Sequence, residues 1–157
     1  MSSDLTLKTQ SVGRAIQEYQ AAVDDFDRET ARILHVNATD LRCLEILVTE
    51  PEVETTPRTI ADRLRLTTGS VTTMLDRLEQ AGYVVRTRHE SDKRKVLVSA
   101  TALVRDRTWA IIGPLLRDGE AEVIANFTAE ELDAVERFLV RATEVQRRHT
   151  ARLAEAD

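Results

Sequence analysis

Apolar residues recur along the chain at two kinds of spacing, and the change from one to the other divides it into parts. From Val12 the apolar positions are Val12, Ile16, Tyr19, Val23, Phe26 and, past Thr30, Ile33. Steps of three and four put these side chains on one narrow stripe of a helix. Leu103, Trp109, Ile112, Leu115, Leu116 and Val123 keep helical spacing from Thr101 to about Ala125, with a kink expected at Gly113-Pro114. A last helix opens at Thr128-Ala129-Glu130-Glu131, where Thr128 can cap and Glu131 can complete a capping box. Its stripe runs through Leu132, Val135, Phe138, Leu139, Ala142 and Val145. Stripes this narrow need a partner, so residues 8–35 and 102–154 are expected to act as dimerisation helices. The alternative is that they pack on each other within one chain.

The centre has shorter periods. Asn37 or Thr39 can cap a helix carrying Leu41, Leu44, Ile46, Leu47 and Val48, which ends before the Pro51 to Pro57 loop. Thr56-Pro57 is a cap followed by proline at the first helical position, leading into Ile60, Ala61 and Leu64. After Leu66-Thr67-Thr68, the residues Val71, Leu75 and Leu78 line one face of a further helix, which stops at Gly82. Tyr83 to Arg88 and Val96 to Val98 are β-branched-rich runs joined by His89-Glu90-Ser91-Asp92-Lys93-Arg94-Lys95, a hairpin with a charged tip. The fold class is therefore mainly α with a small β-hairpin wing: a winged helix-turn-helix lobe at residues 37–101 within a single domain spanning 1–157.

Charge sharpens this division. The chain carries 22 basic and 27 acidic residues, a net charge of -5, which taken whole speaks against a nucleic-acid partner. Yet from Pro57 to Thr101 there are nine basic residues against five acidic, a balance of +4. The remainder then carries thirteen against twenty-two, or -9, so a basic centre lies between acidic flanks. Apolar runs are too short to cross a bilayer, and Met1-Ser2-Ser3-Asp4 lacks the basic start and apolar block of a signal peptide. A cytoplasmic protein with no membrane association is expected. One cysteine, Cys43, and three scattered histidines provide neither an internal disulfide nor a metal cluster, so no metal and no cofactor are expected.

In a helix-turn-helix the second helix lies in the major groove, with polar residues on its first turn and outward face. Thr68, Gly69, Ser70, Thr72, Thr73 and Arg77 meet that need. The hydroxyls are short, Gly69 removes bulk, and a helix N-terminus attracts phosphate, although a Thr/Ser-rich start also serves plain capping. The wing tip carries Arg86, Arg88, His89, Lys93, Arg94 and Lys95, able to lie along the backbone with one arginine in the minor groove. Asp92 is expected to orient a neighbouring arginine, either Arg86 across the hairpin or Arg94.

These stretches resemble the MarR-type transcriptional regulators. The resemblance rests on Gly69-Ser70-Val71-Thr72, Leu75-Asp76-Arg77-Leu78-Glu79, Gly82-Tyr83-Val84, and Asp92-Lys93-Arg94 with Val98-Ser99-Ala100-Thr101, which looks like the family's D-x-R wing motif and its trailing V-x-L-T. Ala100 stands where leucine is usual, and Thr73 where arginine is frequent. The resemblance implies a symmetric homodimer held by the terminal helices, reading helices in successive major grooves of a pseudo-palindromic double-stranded operator, and Arg94 in the minor groove. It further implies a repressor of nearby genes relieved by a small aromatic or phenolic ligand, for which His35, Arg42 and Trp109 are candidate liners. A subset of the family senses oxidants through cysteine, and Cys43 is the candidate here, set in an apolar helix.

Two other classes fit the residues less well. An enzyme lacks its inventory: there is no G-x-S-x-G, H-E-x-x-H or phosphate loop, and Asp24, Asp25 and Asp27 read as a solvated helix face, so no catalytic residue is expected. A winged-helix interaction module without DNA binding would suit a neutral or acidic wing better than this basic one.

Overall fold

The computed structural model describes residues 3–154, and the side chains from residue 5 to 154. Its elements are α1 (Ser3–Leu34), α2 (Ala38–Thr49), α3 (Pro57–Leu64), α4 (Thr68–Gln80), β1 (Val84–Arg88), β2 (Val96–Ala100), α5 (Ala102–Asp118) and α6 (Ala129–Ala154). The chain divides into two compact units, one ending at Ile111 and the other beginning at Ile112. None of the described helices is long and apolar enough to cross a membrane.

The first unit is a winged helix-turn-helix lobe built on short-range rules. Asn37 caps α2 by accepting the Asp40 N–H at 2.8 Å, which settles the choice between Asn37 and Thr39. Thr56 caps α3 by accepting the Thr59 N–H at 3.1 Å, with Pro57 at the first helical position where its missing N–H costs nothing. Thr67 caps α4 by accepting the Ser70 N–H at 3.2 Å.

Three helices of this unit stop in the same way. His35, Arg65 and Gly82 take left-handed backbone with φ of 55°, 55° and 73°. The next residue's N–H then turns back to a carbonyl five residues earlier: Val36 to Ala31 at 2.9 Å, Leu66 to Ala61 at 3.0 Å, and Tyr83 to Leu78 at 2.9 Å. Only Gly82 is recognisable in the sequence, because the other two sites hold residues that adopt this backbone at a cost.

Between these helices lies the core: Leu41, Leu44 and Leu47 of α2, Ile60 of α3, Val71, Met74, Leu75 and Leu78 of α4, and Val84 and Val98 of the hairpin, closed by Leu34 and Val104. Each fully buried aliphatic side chain contributes roughly 1.5–3 kcal/mol, which holds the polar face of α4 outward. β1 and β2 pair antiparallel with Val84 opposite Ala100, Arg86 opposite Val98 and Arg88 opposite Val96. Val98 also donates to the Thr55 carbonyl at 2.8 Å, fastening β2 to the loop before α3.

Gly113 and Pro114 lie inside α5, which continues to Asp118. The regular ladder ends later, in a π-helical turn at Gly119–Val123 and a 3-10 turn at Ile124–Asn126. In the second unit α6 opens with the expected capping box: the Glu131 N–H reaches Thr128 Oγ1 at 3.3 Å, and the Thr128 N–H reaches Glu131 Oε2 at 2.8 Å. That backbone bond holds the Glu131 carboxyl below its ordinary value. No residue of α6 is buried, and Val135, Phe138, Leu139 and Val145 are exposed, as are Val12, Tyr19 and Val23 of α1.

Candidate nucleic-acid interface

The sequence-derived reading residues fall into two groups once their partners are known. On the first turns of α4, Thr68, Gly69, Ser70, Thr72 and Thr73 are all exposed. A Cβ built at Gly69 would meet nothing, so the chain's own packing does not demand glycine there. Ser70 Oγ shares a hydrogen bond with the capping Thr67 Oγ1 at 2.9 Å. Thr72 and Thr73 donate their hydroxyl protons back to the Thr68 and Gly69 carbonyls at 3.0 and 3.2 Å. A hydroxyl so committed turns lone pairs and a methyl group outward, which suits the amino groups of cytosine or adenine and the methyl of thymine.

Arg77 belongs to a different arrangement. Its Nε and Nη2 grip Asp40 of α2 at 3.0 and 2.6 Å, and the Asp40 side chain is only 3% exposed. The sequence places Arg77 among the reading residues; the structure commits two of its donor atoms to neutralising a buried carboxylate. This bond to Asp40 raises the Arg77 pKa further above its ordinary value.

Arg86 is similarly engaged. Its Nη1 meets Asp76 at 2.6 Å and Glu79 at 2.9 Å, and its Nη2 donates to the Thr72 carbonyl at 3.2 Å. It braces β1 against α4, and Asp92 therefore does not orient it. Asp92 instead accepts the Arg94 N–H at 3.1 Å and lies 3.7 Å from Arg94 Nε, which is the other of the two expected partners. Arg94 itself projects from the tip with its side chain 97% exposed. Lys95 is tied to Glu54 at 2.5 Å, whereas Arg88 and Lys93 are exposed. Lys95 first, and His89 second, hold the Glu54 carboxyl below its ordinary value.

A cleft of about 660 Å³ lies between α4 and the wing, lined by Thr68 and Thr72 of α4, Arg94 and Lys95 of the wing, and Arg58 of α3. Arg58 was missed at the sequence level, since a lone arginine after a Thr-Pro cap looks like any helix-surface charge. The acidic partners of Arg63, Arg77 and Lys95 were also missed, because Glu50, Asp40 and Glu54 lie outside the basic segment.

The three candidate effector liners do not converge. His35 follows the last residue of α1 and borders a cleft of about 380 Å³ with Arg107, Ala110 and Ile111. Arg42 pairs with Glu45 and borders a separate cleft of about 580 Å³ with Asp27, Ala31 and Leu41. Trp109 is 63% exposed and borders neither. Cys43 is fully buried, and burial, with Asp40 nearby, pushes its thiol up to about 12. That is the reverse of the thiolate character a sensor needs. Among the described residues no cluster of histidine, cysteine and acidic side chains could hold a metal ion.

The comparisons agree with this geometry. A model of the MarR family matches residues 36–96. The uncharacterized HTH-type transcriptional regulator YcgE of Bacillus subtilis (strain 168) is 30% identical over 131 residues, covering 82% of this chain and 81% of that protein. The organic hydroperoxide resistance transcriptional regulator of the same organism is 34% identical over 84 residues, 52% of this chain and 57% of that protein. Among solved structures, a point mutant of MepR from a multidrug-resistant S. aureus clinical isolate aligns with a TM-score of 0.69 at 15% identity, over 86% of this chain and 96% of that one. The S. aureus MepR–DNA complex aligns with a TM-score of 0.60 at 15% identity, over 85% and 98%. At such identities these structures speak for the fold. With the wing motif, the reading helix and the match to YcgE along most of both chains in agreement, the protein belongs to the MarR family of helix-turn-helix transcriptional regulators.

Proposed function

We propose that the protein is a homodimeric, sequence-specific binder of double-stranded DNA that acts in the cytoplasm as a repressor of nearby genes. The observation that carries this reading is the cleft onto which Thr68 and Thr72 of α4, Arg58 of α3 and Arg94 of the wing all open. In it the reading helix supplies acceptors and methyl groups for base edges, while the arginines supply charge for the backbone and the minor groove. Dimerisation is supported by the exposed apolar residues of α1 and α6, which are more than a water-facing helix needs. Two-fold pairing would set the reading helices about one DNA turn apart, on half-sites of a pseudo-palindrome.

Relief by a small ligand is part of the proposal, and it is supported by the two apolar-floored clefts beside α1, at Arg42 and at His35. A ligand acts only through differential affinity for DNA-competent and DNA-incompetent dimers. The role named for the hydroperoxide regulator is not carried over to this chain, whose buried Cys43 gives a cysteine sensor no support.

The test is selection of duplexes from a random-sequence pool, followed by shift assays across salt concentrations. A shared pseudo-palindromic sequence bound with a steep salt slope is expected, and Arg94→Ala should weaken binding and lower that slope by about two, one for the arginine of each protomer. Failure to enrich any sequence would falsify the reading.

A further inference from the structure

We propose that Glu54 and His89 are positioning residues for Arg94: a carboxylate-held imidazole templates the wing tip and so sets the place from which Arg94 reaches DNA. The proposal rests on the DNA-binding reading above and deepens it.

The tip is a charged loop between Arg88 and Val96 without a buried apolar anchor, so polar contacts must shape it. His89 N–H donates to the Lys95 carbonyl at 2.9 Å, and Lys95 N–H to the Asp92 carbonyl at 2.8 Å. Inside that frame His89 Nδ1 faces two backbone donors, Ser91 N–H at 3.3 Å and Asp92 N–H at 3.2 Å, with Ser91 Oγ at 3.1 Å. A ring nitrogen approached by two amides must present a lone pair, so the imidazole proton resides on Nε2. Nε2 is the atom that meets Glu54 Oε1, at 2.9 Å. Glu54 thus selects the tautomer that the turn requires.

The other oxygen of the same carboxylate takes Lys95 Nζ at 2.5 Å. One side chain from the loop before α3 therefore fastens both ends of the tip, His89 and Lys95. Glu54 is itself held in place, because its neighbour Thr55 is buried and accepts the Val98 N–H of β2 at 2.8 Å. From the templated turn, Asp92 offers Oδ1 to the Arg94 N–H at 3.1 Å. The chain of contacts runs Glu54, His89, Asp92, Arg94. Its last member is the only one of the four with a nearly fully exposed side chain. A side chain that must reach a narrow groove gains from a fixed base, since ordering it on binding would otherwise oppose association.

The test separates the two ring nitrogens, with the full-length protein and the duplex selected above as the probe. In His89→Asn the carboxamide oxygen takes the place of Nδ1 as acceptor for the two amides. In His89→Gln the amide nitrogen takes the place of Nε2, and the acceptor for the turn is lost. We expect His89→Ala and His89→Gln to weaken binding about 25-fold, about fivefold for the one flexible side chain freed in each protomer, and His89→Asn, whose fixed carboxamide oxygen needs no tautomer selected by Glu54, to stay within about twofold of wild type. On an Arg94→Ala background none of the three should matter further. Nitrogen NMR of the free protein should show the proton of His89 on Nε2.

His89→Asn as weak as His89→Ala, or a His89 effect that persists without Arg94, overturns the proposal while the DNA-binding reading stands. A proton on Nδ1 overturns it without reference to DNA. A wild-type protein that selects no duplex sinks the DNA-binding reading and this proposal with it.

Discussion

Removing one oxygen tests how the lobe is joined to the helices that flank it. Tyr83 is buried, and its hydroxyl donates to the Leu34 carbonyl at 3.0 Å and accepts from Arg107 Nη1 at 2.8 Å. Leu34 is the last residue of α1, where carbonyls lack a partner within the helix. Its neighbours Ala31 and Arg32 are served by the left-handed turn at His35, which leaves Tyr83 to serve Leu34. Tyr83→Phe keeps the ring, the core volume and the position of Arg107 over the ring face at 5.8 Å. It removes a neutral bond of about 1 kcal/mol and strands a buried acceptor, whose desolvation costs about 1–3 kcal/mol when nothing replaces it. The exposed Arg107 recovers its partner from water. A loss of roughly 1–2 kcal/mol follows, which in a chain of this size lowers the melting midpoint by about 3–7 °C. The assay is thermal unfolding by circular dichroism at one fixed protein concentration, because self-association would make the midpoint move with concentration. A midpoint within about 1 °C of wild type would refute the assignment of Tyr83 as the cap of α1. So would an equal drop in Arg107→Met, which would show that the arginine carries the effect.

Three further outcomes are expected. Cys43 should resist a thiol reagent at pH 8 in the folded protein and react once denaturant unfolds it, since burial raises its thiol to about 12; rapid native-state labelling would contradict this. His35→Gly should raise stability by about 0.5 kcal/mol in urea titrations, because glycine removes the left-handed strain while returning some unfolded-state entropy; a loss of stability would mean that the imidazole makes a contact of its own. Glu131 is held below its ordinary value of 4.5 first by the Thr128 N–H, so the capping box is complete above that pH and is lost as pH falls through the lower folded value. Carbon NMR of its carboxyl checks this, and a midpoint at or above 4.5 would contradict it.

Much of the fold was legible along the chain. Helix starts at Asn37, Thr56 and Thr128, the stop at Gly82 and the hairpin all depend on residues within about four positions of one another, and local spacing carries that information. Helical backbone to about Ala125 was legible too, but the change from an α-helical to a π-helical ladder at Gly119 was not, because no residue there marks it. The stops at His35 and Arg65 were hidden for a similar reason: neither residue is a habitual left-handed one.

By itself the sequence determined that a basic reading lobe lies between acidic, stripe-bearing helices, and that α4 presents hydroxyls on its outward face. Tertiary structure alone decided which charges remain available to a partner. Arg77, Arg86 and Lys95 are answered by Asp40, Asp76 and Glu54, which stand 37, 10 and 41 residues away. Net charge adds along the chain whatever the fold, but the reach of a charge depends on the opposite charge nearest to it in space. Folding therefore left Arg94 and Arg58 at the cleft and turned their neighbours into its scaffold.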